Sequence, residues 1–231
     1  LNINFLNFEL QSQNLYMEPS QPEKDISLIK NLMEKSSKFS NLSGYAIATT
    51  GLLALLGAVF VYFDLGISIS EKYISYAELI NQTGNANSIY TKIKLLVIIA
   101  SLILLTSLLI LYVTAKLKSE RHDINLFNSS FSRALKSLFI PVLSGGIFCG
   151  FLILHKMYGL VAPATLIFYG LGLISASKFS YNELELLGYL ELFLGTIASY
   201  YMGSGLLFWM IGFGIGHIVL GVFIHYKYDK K

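Results

Sequence analysis

Six stretches of the chain run almost without charge: Gly44 to Phe63, Leu95 to Ala115, Leu138 to His155, Met157 to Ser177, Leu186 to Tyr201 and Gly205 to Tyr226. A helix needs about 20 apolar residues to cross a hydrocarbon core of about 30 Å. The first four stretches hold no Asp, Glu, Lys or Arg; the fifth is shorter and holds Glu191. The pattern predicts an all-α, polytopic transmembrane helical bundle of six spans.

The basic residues orient it. With the N-terminus inside and the spans alternating, the inside receives Lys24, Lys30, Lys35, Lys38, Lys116, Lys118, Arg121, Arg133, Lys136, Lys178, Lys227, Lys230 and Lys231. The outside receives only Lys72, Lys92, Lys94 and Lys156. Lys and Arg concentrate on the cytoplasmic side of membrane proteins. The bias predicts an N-in, C-in chain and therefore an even number of spans. Five spans would leave the C-terminal lysines outside.

Loop lengths suggest a 2 + 4 grouping. Long segments, Asp64 to Thr91 and Lys116 to Ser137, flank span 2, whereas spans 3 to 6 follow one another closely. Short connections favour antiparallel neighbours, so spans 3 to 6 are expected as one four-helix unit. No internal repeat is evident, which weighs against an inverted-repeat transporter.

The polar segments divide the rest. Residues 1–16 are rich in Asn and Gln and lack a basic n-region, so they do not read as a signal peptide. They are expected to be a disordered or mis-assigned extension, with Met17 as the start. Residues 17–43 form a cytoplasmic amphipathic segment, with Ile26, Ile29 and Met33 on one helical face and Lys30, Glu34 and Lys38 on another. The transmembrane domain is 44–231. In the linker before span 3, Phe127, Phe131 and Leu135 predict an interfacial helix that enters the span at Pro141, a residue tolerated near a helix start. Ser68 to Glu71 is a capping-box pattern for a short helix reaching Asn81 in the external loop.

Composition agrees with the pattern. The chain of 231 residues is 54% hydrophobic and 13% charged, about half the charge of a soluble domain. The net charge of +3 is too small to suggest nucleic acid. A single cysteine, Cys149, excludes an intrachain disulfide and reads as a small buried hydrophobe. No metal-binding spacing, GxSxG, phosphate loop or paired-carboxylate motif occurs, so no catalytic residue, metal ligand or cofactor is expected. The partners implied are the lipid bilayer and either a second copy of the chain or a membrane or cytoplasmic protein.

An ionisable residue inside a span is costly and therefore a functional candidate. Glu191 shares a helix face with Gly188 and Gly195, and His217 shares one with Gly214 and Gly221. Small residues let helices approach closely, so both polar side chains are expected at helix contacts. Their depths permit a Glu191–His217 hydrogen bond or ion pair. Such a pair either relays a proton or fixes helix packing. Gly146 and Gly150 form one GxxxG, and Gly212 and Gly216 another, both read as packing within the chain or between chains.

Several stretches look familiar together: Ile140 to Cys149, Ala162 to Gly170, Ser175 to Lys178, Gly205 to Trp209 with Gly214 and His217, and Ser36 to Phe39. On these the chain resembles an uncharacterised family of small multi-pass inner-membrane proteins of Bacteroidetes-type bacteria. The resemblance implies a bacterial cytoplasmic membrane location and, weakly, signalling. It carries no functional residues over.

Three function classes follow. A non-enzymatic sensor or partner-binding membrane protein fits the amphipathic segments and the missing catalytic motifs. A small transporter or proton-coupled carrier fits Glu191 and His217, and predicts a wet cavity lined by them and Tyr169. An intramembrane enzyme has no positive support.

Overall fold

The computed structural model describes residues 38–39, 42–64, 86–121, 129–201 and 204–230, and among them every regular element is helical. α1 is Gly44–Asp64, α2 is Ala86–Arg121 and α3 is Ser129–Leu154. A short 3-10 turn, Tyr158–Leu160, leads into α4, Val161–Ser177. α5 is Glu183–Tyr200. α6, Gly205–Asp229, carries two π-helical stretches, Met210–Gly216 and His225–Asp229. The helices belong to a unit of residues 39–231; the expected extension, most of the N-terminal amphipathic segment, the external-loop helix and Phe127 lie outside the described residues.

Five helices are long and apolar enough to cross a membrane: α1, α2, α3, α4 with its leading turn, and α6. α5 falls short because Glu183, Glu185 and Glu191 place three carboxyls within its 18 residues. The chain is thus compatible with an integral membrane protein. α2 is 36 residues long, about 54 Å at 1.5 Å per residue, so it extends well beyond the expected Leu95 to Ala115 stretch. None of its apolar window is buried within the chain.

α3 corrects one expectation. It is continuous from Ser129 to Leu154, with Pro141 inside rather than at an entry point. Proline removes one backbone donor, yet apolar spans accept it when nearby hydroxyls take up freed carbonyls. The carbonyl left without its donor is that of Ser137; one turn on, Ser144 Oγ donates to Ile140 O at 2.9 Å, a side-chain bond of the same helix.

The 2 + 4 grouping leaves out one contact that the packing displays. α4 lies between α3 and α5, but α1 packs along α6 more extensively than along α2. Glycines explain the choice. A methyl added at Gly51 would lie 2.6 Å from Gly214 O and 2.8 Å from Ile218 N. One added at Gly221 would lie 2.6 Å from Gly44 O and 2.8 Å from Ala48 Cα. The two backbones touch along this line, which only glycine permits. α4 and α5 meet the same way, through Gly170, Gly188 and Gly195.

One end of the unit is tied by polar bonds. Asp229, last in α6, accepts from Gly44 N at 2.7 Å, at the start of α1, and from Lys118 Nζ at 2.7 Å, near the end of α2. Lys118 also donates to Leu42 O at 3.2 Å, which accepts from Tyr181 Oη at 3.0 Å. Phe39 N donates to Phe179 O at 2.7 Å, and Ser180 Oγ donates to Phe39 O at 2.9 Å. The Phe39 ring is buried against Ala115 and Phe131, the latter at 4.9 Å between centroids. Asp229→Ala removes the helix cap and the ion pair together. A hydrogen bond to a charged group contributes about 1.5–3 kcal/mol. The variant is expected to unfold earlier in a thermal scan, by more than Asp229→Asn, which retains an acceptor for Gly44.

Glu183 forms a second tie at this end, accepting from Lys227 Nζ at 2.5 Å and Tyr228 Oη at 3.0 Å. Burial pushes its pKa up, but the bonds from Lys227 and Tyr228 outweigh burial and hold it below the ordinary glutamate value. A carboxyl lowered on folding stabilises fully above its unfolded pKa, and that contribution is lost as pH falls through the folded value. Acid thermal scans are therefore expected to show a stability loss below the ordinary glutamate range that is smaller in Glu183→Gln.

Candidate functional site

The site lies where α4, α5 and α6 meet. Glu191 is fully buried, and neither of its carboxyl oxygens has a hydrogen-bond partner. His217 Nδ1 stands 3.7 Å from Glu191 Oε1, within ion-pair range but too far for a hydrogen bond. The ring is held by other groups. Nδ1 is 3.2 Å from Gly212 O, and Nε2 is 2.8 Å from the hydroxyl of Tyr169 on α4. A carbonyl only accepts, so Nδ1 carries a hydrogen. In the neutral ring Nε2 then accepts from Tyr169 Oη. Tyr169 and His217 also stack, with centroids 5.5 Å apart, and Phe213 flanks both.

Local sequence builds this pocket. Glu191 and Gly188 lie one turn apart on α5, and Gly188 and Gly170 bring α5 against α4. A methyl at Gly212 would lie 2.9 Å from Glu191 Cδ and 2.9 Å from Leu166 Cδ2, so glycine makes the room that the carboxyl occupies. Gly212 belongs to the π-helical stretch Met210–Gly216, which ends immediately before His217. π-helical turns are uncommon and recur at functional sites. Here the widened turn brings the Gly212 carbonyl to the imidazole five residues on.

The structure treats the singled-out glycines differently. Gly188, Gly195, Gly212, Gly214, Gly216 and Gly221 each face another helix's atoms at contact distance. Gly146 and Gly150 do not: an added methyl at either meets nothing within 4 Å. Among the described residues that pair makes no intrachain contact, and the packing between chains that was the other expectation stays open. α3 turns Gly145, Cys149 and Leu152 inward, and the stripe one position on faces out. Gly145 abuts Phe168 of α4. Gly44, Gly51 and Gly170 also meet backbone atoms of a neighbouring helix, and no intramembrane ionisable residue shares their helical turn to mark them.

Cys149 is buried, with Sγ 3.8 Å from Val161 O. His225 stands apart from the pair, tilted against the Tyr45 ring and 3.7 Å from Asp229. Among the described residues no three His, Cys, Asp or Glu side chains gather as a metal site. No family model, curated protein or solved structure matches the chain. The reading of function therefore rests on geometry and sequence alone.

Proposed function

We propose that the chain is a six-span protein of a bacterial inner membrane, with both ends in the cytoplasm, that senses a condition in the bilayer and passes it to a bound partner protein. The observation that carries this reading is the anchoring of Phe39. Its backbone is bonded to the α4–α5 connection, and its ring is buried against the end of α2 and the start of α3. A rearrangement among these helices therefore pulls on the residue that leads to the amphipathic N-terminal segment.

The topology has support from the same end. The start of α1, the end of α2, the end of α4 and the end of α6 are bonded together there. An up-down run of six crossings brings these ends to one side, and the lysine and arginine bias makes that side cytoplasmic. The bacterial inner-membrane assignment rests on the family resemblance.

A proton-coupled carrier is the second reading, favoured by the unpartnered Glu191 carboxyl. The close glycine contacts around Glu191 favour a closed junction over a route. Native mass spectrometry of the full chain, extracted gently from its own membrane, tests the choice. The sensor reading predicts a second polypeptide, lost when residues 17–36 are deleted. A bare chain, with pH-dependent flux in liposomes that Glu191→Gln abolishes, overturns it.

A further inference from the structure

We propose that Glu191, His217 and Tyr169 form a buried proton-binding switch, in which release of one proton from the Glu191 carboxyl makes His217 exchange its acceptor from Gly212 O to Glu191 Oε1. This deepens the sensor reading and rests on it, naming the proton as what is sensed.

Three observations carry the inference. First, the carboxyl is fully buried and unpartnered on both oxygens, an arrangement that hydrogen-bonded structural carboxyls do not show. Second, a donor beside it already points to an alternative acceptor: Nδ1 is 3.2 Å from Gly212 O and 3.7 Å from Glu191 Oε1. A small rotation of the ring moves the hydrogen from one to the other. Third, Gly212 sits against both groups, in a π-helical stretch. Losing the imidazole bond frees a carbonyl in the turn where α6 contacts α5 and α1.

The step balances. In the proton-bound state the carboxyl is neutral and His217 donates to Gly212. On release, the O–H bond of the carboxyl breaks, its electron pair stays on Glu191, and the proton passes to water admitted when the closed junction of α4, α5 and α6 opens transiently. A buried carboxylate without a donor is strongly unfavourable, so the ring turns to supply one. Tyr169 continues to donate to Nε2, which strengthens Nδ1–H as a donor. The groups facing Glu191 are few. α4 brings Tyr169, α6 brings His217, and α1 reaches the His217 side with Gly51, which does not titrate.

Infrared difference spectroscopy on the full chain in lipid, recorded from about pH 6 upward, where exposed carboxyls are already ionised and give no such band, reads the carboxyl directly. The expected result is a protonated-carboxyl carbonyl band that is lost as pH rises, and that is missing at every pH in Glu191→Gln. Tyr169→Phe supplies a second arm independent of how Glu191→Gln folds. Without the Tyr169 hydroxyl His217 is the weaker donor, so loss of the band moves to higher pH. A band that persists in a folded Glu191→Gln, fails to respond to pH, or titrates unchanged in Tyr169→Phe overturns the switch. The band is read whether or not a partner is bound. A silent carboxyl with an intact partner complex refutes the switch alone, and a titrating carboxyl in a chain without a partner refutes the sensor reading alone.

Discussion

Gly221→Leu will separate α1 from α6 and leave little folded protein. Even the first carbon of the new side chain would lie 2.6 Å from Gly44 O and 2.8 Å from Ala48 Cα. These are backbone atoms and cannot step aside as a rotamer can. Overpacking a well-packed site costs about 1–3 kcal/mol, and more where the obstruction is main chain. Three further carbons enlarge the conflict, so a loss of about 3 kcal/mol or more is expected. The start of α1 also carries Gly44 N, which Asp229 caps, so unseating the helix undoes that bond as well. Thermal unfolding in lipid, followed by loss of a monodisperse peak on size exclusion, measures the effect. Gly150→Ala is the internal control. It adds a methyl that meets nothing, and a change within about 0.5 kcal/mol is expected.

His217→Ala is expected to cost about 3–5 kcal/mol, in the range of other buried ring deletions. The ring is 7% exposed and packs on Tyr169 and Phe213. Its removal opens a cavity and strands the Tyr169 hydroxyl, which loses Nε2 as its acceptor. A stranded buried hydroxyl accounts for about 1–3 kcal/mol of the total. The two contributions separate in a double-mutant cycle. In a Tyr169→Phe background there is no hydroxyl to strand, so the cost of His217→Ala is expected to fall by about 1 kcal/mol or more. Equal costs in both backgrounds would mean that the Tyr169–His217 bond contributes nothing.

Much of the fold can be read from uncharged stretches, because a bilayer permits few alternatives to helices once a segment is apolar. Residues such as Leu138 to His155 and Gly205 to Tyr226 identify their helices by composition alone. The helix ends are less legible. α2 begins at Ala86, before the apolar run, because Thr91, Lys92 and Lys94 are polar but still helix-compatible. Neighbour relations are the least legible. Loop length pointed to four consecutive partners, whereas α1 joins α6 through glycines far apart in sequence. The glycine pattern alone does not reveal which stripe turns inward, as Gly145 and Gly146 illustrate. They are adjacent, yet one abuts Phe168 and the other faces open space.

At the site, two ionisable residues beside glycines were enough to single out Glu191 and His217. The cost of burying such groups makes them conspicuous. Tyr169 is less so, because a tyrosine in an apolar span is compatible with several surroundings. Its part depends on the angle between α4 and α6, which no local pattern encodes. The Asp229–Lys118 tie was hidden for a similar reason. Asp229 stands between Tyr228 and Lys230 in a basic C-terminal run, and its partners are Gly44 and Lys118, more than a hundred residues away.

Under the proposed function, Phe39 couples the helical unit to a partner held by the N-terminal segment. Phe39→Ala tests it most directly, because the backbone bonds to Phe179 and Ser180 need no side chain while the buried ring is removed. The measurement is the fraction of full-length chain that retains its partner in native mass spectrometry, beside a thermal scan of the same preparation. The expected result is a folded helical unit that retains partner about tenfold less well, a change of about 1.4 kcal/mol. Retention equal to that of the unaltered chain would contradict it.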